Sequence, residues 1–306
     1  MNRILSLLGL LSVLAFAVPF AAHAAPLPDG AESKFAEVNG IRMHYVQMGE
    51  GPLLVLLHGW PQTWYEWAEV MPPLAEHFTV VAPDLRGVGK TERTADGYDK
   101  ETISKDVAAL IEHLNGDEPA VVVAHDMGGK AAIVLALTEP ERVRKLVLID
   151  CMPPGTENMD VARGGLWHYG FHIAPDIPEM LTEGREREYL TAMMKLLSGG
   201  KEVMTDEAID EYVEAYASPG GMTAGFNYYR ALLEDADFVS SLSSKQLTMP
   251  VLTIGGEHSV ADHLYKALEG RSDDITNRIA EGSGHYVPEE MPEFTVEQIV
   301  SFAAAP

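Results

Sequence analysis

Asp126 sits in Val121-Val122-Val123-Ala124-His125-Asp126-Met127-Gly128-Gly129-Lys130-Ala131-Ala132, which reads as an apolar strand, a sharp turn and a helix start. Ala124 and Gly128 flank it, as a strained strand-to-helix bend requires when larger side chains would not fit around an exposed reactive group. Serine is the usual occupant of such an elbow. Aspartate changes the chemistry, because a carboxylate is already ionised at neutral pH and needs no base to make it nucleophilic. It suits attack on an electrophilic carbon that bears a strained or stable leaving group. The helix N-terminus beneath it helps keep Asp126 ionised. An N-cap role alone is the plain alternative, and the full elbow pattern speaks against it.

Three further pieces would complete such a site. Gly282-Ser283-Gly284-His285-Tyr286-Val287-Pro288 follows the last predicted strand and precedes the closing helix. His285 is placed there to deprotonate a water that releases a covalent ester. His58-Gly59-Trp60-Pro61 follows the predicted strand Leu53–Leu57 and resembles the oxyanion loop of α/β-hydrolases. The backbone N–H groups of Trp60 and Met127 would converge on the carbonyl oxygen of that ester. The acid that orients His285 has two candidates. The loop Gly256-Glu257-His258-Ser259 offers Glu257 but carries serine where an aspartate would normally stand, whereas Asp150 ends the predicted strand Val143–Ile149. Asp150 is favoured, with Glu257 as the alternative and a simple strand-exit role for Asp150 as the plain reading.

The elements that must hold these residues alternate. Arg42–Met48, Leu53–Leu57, Thr79–Ala82, Ala120–Val123, Val143–Ile149, Val251–Ile254 and Asp274–Ile279 read as strands, with helical patterns between most of them. Several are continuously apolar, as strands covered on both faces by helices are. The fold class is therefore α/β, with a mainly parallel central sheet flanked by helices. The rhythm stops after Asp150. Residues 153–247 show helical stretches without an apolar strand and read as an inserted helical cap, which divides the core into residues 25–152 and 248–306.

Residues 1–24 read as a secretory signal: Asn2 and Arg3, an apolar run from Ile4 to about Phe20, then Ala22-His23-Ala24 as a cleavage site. The expected location is periplasmic or extracellular. Cys151 is the single cysteine, so no internal disulfide can form, and its place at a strand end suits the core. A formal net charge of −24 repels phosphate backbones and anionic lipid surfaces. Neither a nucleic-acid partner nor, once the signal is cleaved, a membrane role is expected; a homodimer is left open. The scattered histidines form no convincing metal-ligand set, and the chemistry above needs no cofactor.

With these residues in place the chain resembles the epoxide-hydrolase branch of the α/β-hydrolases, and within it most resembles the Cif group of secreted bacterial epoxide hydrolases. The likeness spans nearly the whole mature chain. Its most specific pieces are Gln62-Thr63-Trp64-Tyr65-Glu66-Trp67, Ala82-Pro83-Asp84-Leu85, Ala124-His125-Asp126, Trp167-His168 and Phe226-Asn227-Tyr228-Tyr229-Arg230-Ala231-Leu232. The resemblance implies that His168 and Tyr229 project from the cap and hydrogen-bond the epoxide oxygen, on which alkoxide charge develops. It also implies an orienting acid at Asp150, an aspartate where glutamate is more familiar. Tyr169, His172 and Tyr228 are the substitutes for the cap donors. Trp60, Met127, His58 and Trp64 are expected to line the substrate pocket. Pro61 stands where the group can carry glycine.

Two other functions stay open. Dehalogenases share the aspartate nucleophile, but haloalkane dehalogenases usually follow it with a tryptophan that Met127 replaces. Haloacetate dehalogenases use arginines where this chain has Met127 and Lys130. A non-catalytic binding protein on a hydrolase scaffold is the third reading, since fold does not establish activity.

Overall fold

Alternate residues of each central strand face opposite layers, and this pattern organises the computed structural model, which describes residues 26–163 and 165–304. The predicted signal segment lies outside the described residues. Eight strands form one sheet: β1 (Glu32–Val38), β2 (Ile41–Met48), β3 (Leu53–Leu57), β4 (Thr79–Pro83), β5 (Ala120–His125), β6 (Val143–Ile149), β7 (Val251–Gly256) and β8 (Ile275–Ala280), in the order β1-β2-β4-β3-β5-β6-β7-β8. β1 pairs with β2 and β2 with β4 in antiparallel fashion, and the remaining pairs are parallel. Leu53, Val55, Leu57, Val122 and Ala124 face one apolar layer, and Leu54, Leu56, Val121 and Val123 face the other. Each such side chain contributes roughly 1.5–3 kcal/mol of burial, so a charge at Val122 would break the sheet at the strand that carries Asp126.

The sequence reading omitted β1. It is an edge strand that exposes Glu32, Ser33, Phe35 and Glu37 and keeps only Ala36 and Val38 buried, so it shows no apolar run.

The helices are α1 (Met71–Leu74), α2 (Lys100–Asn115), α3 (Asp126–Thr138), α4 (Trp167–Ile173), α5 (Ile177–Thr182), α6 (Glu186–Leu197), α7 (Asp206–Ala217), α8 (Gly221–Arg230), α9 (Leu232–Ser241), α10 (His263–Leu268), α11 (Val287–Glu290) and α12 (Pro292–Ala304). α2 starts on Asp99, whose carboxylate accepts the Thr102 N–H at 2.8 Å and so satisfies one of the unpaired donors of the first turn. Helices α4 to α9 lie between β6 and β7 with no intervening strand. Buried polar contacts fasten them to the sheet layer. Lys100 Nζ on α2 donates to Asp235 Oδ2 on α9 at 2.9 Å and to the Tyr228 carbonyl at 3.1 Å. Arg93 reaches the Ala215 carbonyl at 3.0 Å and Ser218 Oγ at 2.7 Å. Within this helical layer, Arg230 pairs with Glu179 at 2.9 Å and joins α8 to α5.

Candidate active site

β5 ends on His125, and the chain turns into α3 at Asp126 with a φ of +43°. A non-glycine residue in that region is held there by its surroundings. Gly128 makes the turn fit: a side chain there would come within 2.6 Å of the His58 carbonyl, which instead accepts the Gly128 N–H at 3.2 Å. Asp126 is 8% exposed and its Oδ2 accepts the Trp60 N–H at 2.9 Å. Burial alone would raise its carboxyl pKa, but His285, His125 and the Trp60 N–H oppose this and hold it below the usual carboxylate range.

His285 reaches Asp126 from the loop between β8 and α11. Its Nδ1 lies 2.7 Å from Asp150 Oδ1, and its Nε2 lies 3.9 Å from Asp126 Oδ1. A carboxylate can only accept, so Nδ1 carries a proton, and in the neutral ring the lone pair is then on Nε2. At 3.9 Å that lone pair is not engaged by Asp126.

Asp150 follows β6 with a φ of +39° and is fixed on every side. Its Oδ2 accepts the Gly256 N–H at 2.7 Å, and its Oδ1 also accepts Ser259 Oγ at 2.5 Å. Ser259, which stands where an acid was sought, therefore supports the acid on the neighbouring strand. Glu257 points elsewhere and accepts the Gly282 N–H at 2.8 Å. Gly256 allows the two loops to touch, since a β-carbon on it would fall 1.8 Å from the Gly284 carbonyl oxygen.

The helical layer brings His168 and Tyr229 over this group, 3% and 2% exposed. Their rings lie edge to face at 5.8 Å, and Tyr229 also packs on Trp60 at 5.5 Å and on His172 at 4.3 Å. Burial pushes the Tyr229 hydroxyl well above its ordinary pKa, with the Asp126 charge adding to the effect, so it remains a protonated donor. Burial lowers His168 to about 4 against the pull of Asp126, so the ring is neutral at pH 7. Of the substitutes, Tyr169 packs beside both residues at 4.8 Å and 5.4 Å. His172 Nε2 is taken by the Tyr189 hydroxyl at 2.5 Å, and Tyr228 donates to the Arg86 carbonyl at 2.7 Å.

Of the four expected pocket walls, Trp60, Met127 and His58 border a gap shared with Tyr216 and Tyr228 that is too narrow to admit a water molecule. His58 is held at both nitrogens: Nδ1 donates to the Gly59 carbonyl at 2.8 Å and Nε2 accepts the Leu85 N–H at 3.0 Å. It shapes the loop rather than offering a free donor. Trp64 departs from the expectation. It packs with Trp67, Leu56 and Val123 in the apolar layer on the opposite face of the sheet from Trp60 and Met127. Its backbone N–H donates to Asp84 Oδ1 at 3.0 Å, at the start of a short 3-10 turn capped by Thr63.

Two buried residues that the sequence reading quoted without a role also join the site. Glu66 Oε2 accepts the Gly59 N–H at 2.9 Å, and Glu66 Oε1 lies 3.0 Å from His125 Nδ1. The signal was present in their positions: His125 adjoins Asp126 within the elbow, and Glu66 lies six residues beyond Trp60.

An eight-stranded, mostly parallel sheet with an aspartate at its elbow and a late-loop histidine defines an α/β-hydrolase. The family model for the alpha/beta hydrolase fold matches residues 52–291, and the chain belongs to that family and, within it, to the epoxide hydrolase enzymes. It is 38% identical over 277 residues to the soluble epoxide hydrolase of Corynebacterium sp. (strain C12), covering 88% of this chain and 96% of that protein. Among solved structures it is similar to Cfl2 of Burkholderia cenocepacia (TM-score 0.83, 35% identity, 89% of this chain and 96% of that one). It is also similar to the Cif epoxide hydrolase of Acinetobacter nosocomialis (TM-score 0.83, 28% identity, 90% of each chain).

Proposed function

We propose that this enzyme opens a small epoxide to a vicinal diol through a hydroxyalkyl ester on Asp126. Asp126 attacks a ring carbon; the C–O bond of the ring breaks, and the departing oxygen takes one proton from Tyr229 while His168 supports it with a hydrogen bond. Water then attacks the Asp126 carbonyl carbon and gives its proton to His285 Nε2, with Asp150 holding the imidazole in the required tautomer. The Trp60 and Met127 amides receive the tetrahedral oxyanion. Collapse of that intermediate expels the diol oxygen, which takes the proton held by His285, and the proton remaining on Asp126 returns to Tyr229, which restores the carboxylate and the phenol.

The observation that carries this reading is the Asp126–His285–Asp150 geometry: a carboxylate held ionised, with an imidazole 3.9 Å away whose free nitrogen is aimed by a 2.7 Å contact. A water-accepting base next to a carboxylate nucleophile is what hydrolysis of an aspartyl ester needs. Haloacid dehalogenation finds less support, because Lys130 donates to the Met152 carbonyl and to Glu157 Oε1, both at 2.6 Å, and is not a free clamp for a substrate carboxylate. Export, argued from residues 1–24, is part of the same proposal.

The test is repeated turnover of an epoxide in ¹⁸O-labelled water, followed by mass analysis of the peptide that contains Asp126. Label entering the carboxylate is the expected result. An active enzyme whose Asp126 stays unlabelled would rule the ester out.

A further inference from the structure

Directly beneath the nucleophile lies a fully buried histidine that the reaction as written does not use. His125 Nε2 is 3.0 Å from the His285 carbonyl oxygen, and a carbonyl only accepts, so Nε2 carries a proton. His125 Nδ1 is 3.0 Å from Glu66 Oε1, an ion-pair distance although the angle departs from that of a straight hydrogen bond. If Glu66 is ionised, Nδ1 must carry a proton as well. Glu66 has its other oxygen on the Gly59 N–H at 2.9 Å, as a carboxylate would.

We propose that His125 is a permanent imidazolium and the positioning residue of this site, tying the loop that presents Trp60 to the loop that presents His285 and placing a positive charge behind Asp126. The mechanical part follows from the contacts. Glu66 grips the residue before Trp60, His125 grips the backbone of His285 itself, and the two side chains are paired to each other. The His125 and His285 rings lie 4.7 Å apart, so the charge sits under both reacting groups. The electrostatic part follows from the neighbours. Asp126 and Asp150 bring negative charge to His125, Glu289 is kept largely neutral at pH 7 by burial that raises its pKa to about 8, the His58 and His285 rings face it, and Glu66 is its direct partner. Burial would strip the proton from His125, but the Glu66, Asp126 and Asp150 charges outweigh it and raise the pKa to about 9. His58, equally buried, accepts a backbone N–H and has a lowered pKa. The difference is the carboxylate partner.

The rate consequence rests on the ester mechanism proposed above, whereas the charge state does not, and the experiment separates them. Ring-¹⁵N histidine spectra of the wild-type protein from pH 6 to 8, assigned with His125→Asn, are expected to show both His125 nitrogens protonated throughout. In Glu66→Gln, His125 is expected to lose its second proton by pH 7. Single-turnover ester formation should fall about tenfold or more, and the acid limb of kcat/KM, set by Asp126, should move to higher pH. Glu66→Asp should move that limb part of the way back. A merely structural pair would slow the enzyme without displacing the limb. A neutral His125 in the wild type at pH 7, or a Glu66→Gln limb at the wild-type pH, overturns the proposal. Failure to trap any ester in active wild type would count against the reaction scheme instead and leave the spectra to decide the charge.

Discussion

Around Asp126, His125 of the sheet layer and the His168 and His172 pair of the helical layer are buried alike but differ in charge state, whereas His58 of the sheet layer, with its lowered pKa, follows the helical pair. Beneath Asp126, His125 lies 3.0 Å from Glu66 and its pKa is raised to about 9. Above Asp126, α4 holds His168 at about 4 and His172 at about 2, both through burial, and neither has a carboxylate partner within ion-pair distance among the described residues. Burial disfavours an imidazolium everywhere, and only a carboxylate at close range reverses the outcome. Charge is therefore kept on the side where a carboxylate must stay ionised, and neutral donors occupy the side where an alkoxide would form.

This division predicts different failures for changes on the two sides. On the sheet side, His285→Gln should reduce turnover about 10³-fold, within the range general-base catalysis supplies, and should accumulate Asp126 heavier by the mass of the substrate; mass spectrometry of the intact variant reads this directly. Normal turnover would remove His285 from the hydrolytic step. On the helical side, Tyr229→Phe should slow ester formation by about 10–100-fold while ester breakdown keeps its wild-type rate. Rapid-quench kinetics that find only breakdown slowed would erase the contrast between the layers.

The pH dependence of stability sharpens the same contrast with a smaller effect. His168 and His172 have folded pKa values below the unfolded value of about 6.5, so the unfolded chain takes up their protons first as the pH falls. Their stabilisation is present at pH 7 and is lost as the pH drops from about 6.5 towards 4, by roughly 3 kcal/mol for His168 alone. His125 behaves oppositely: its contribution is complete below about 6.5 and is lost as the pH rises through about 9. Hydrogen exchange should find α4 opening first near pH 5 and the start of α3 opening first above pH 9. The reverse order would mean that the two sets of histidines do not hold their protons as described.

Much of this arrangement is legible in the amino-acid order. Asp126 stands out because small residues flank it, and His285 because it sits between the last strand and the closing helix. Asp150 is favoured over Glu257 because the later loop carries serine where an aspartate would normally stand and because Asp150 ends the strand Val143–Ile149, the other place for such an acid; the two carboxylates face different partners. What was not legible depends on orientation. Trp64 and Trp60 are four residues apart in the sequence, yet they point to opposite faces of the sheet, because the turn beginning at Trp64 is fixed by Asp84, twenty residues later. The ion pair of Glu66 and His125 joins residues 59 positions apart that share no motif spacing. β1 lacks an apolar run because it is covered on one edge only.

Gly256 carries a practical consequence. It touches no reactant, yet its missing side chain is the gap through which the Gly284 carbonyl passes, and its amide anchors Asp150. An engineer who diversifies this enzyme for new substrates by saturating positions around the cleft would find codon 256 intolerant of every replacement. The cause would be steric crowding between two backbone segments, so a compensating substitution belongs in the 282–284 turn and not in the substrate chamber.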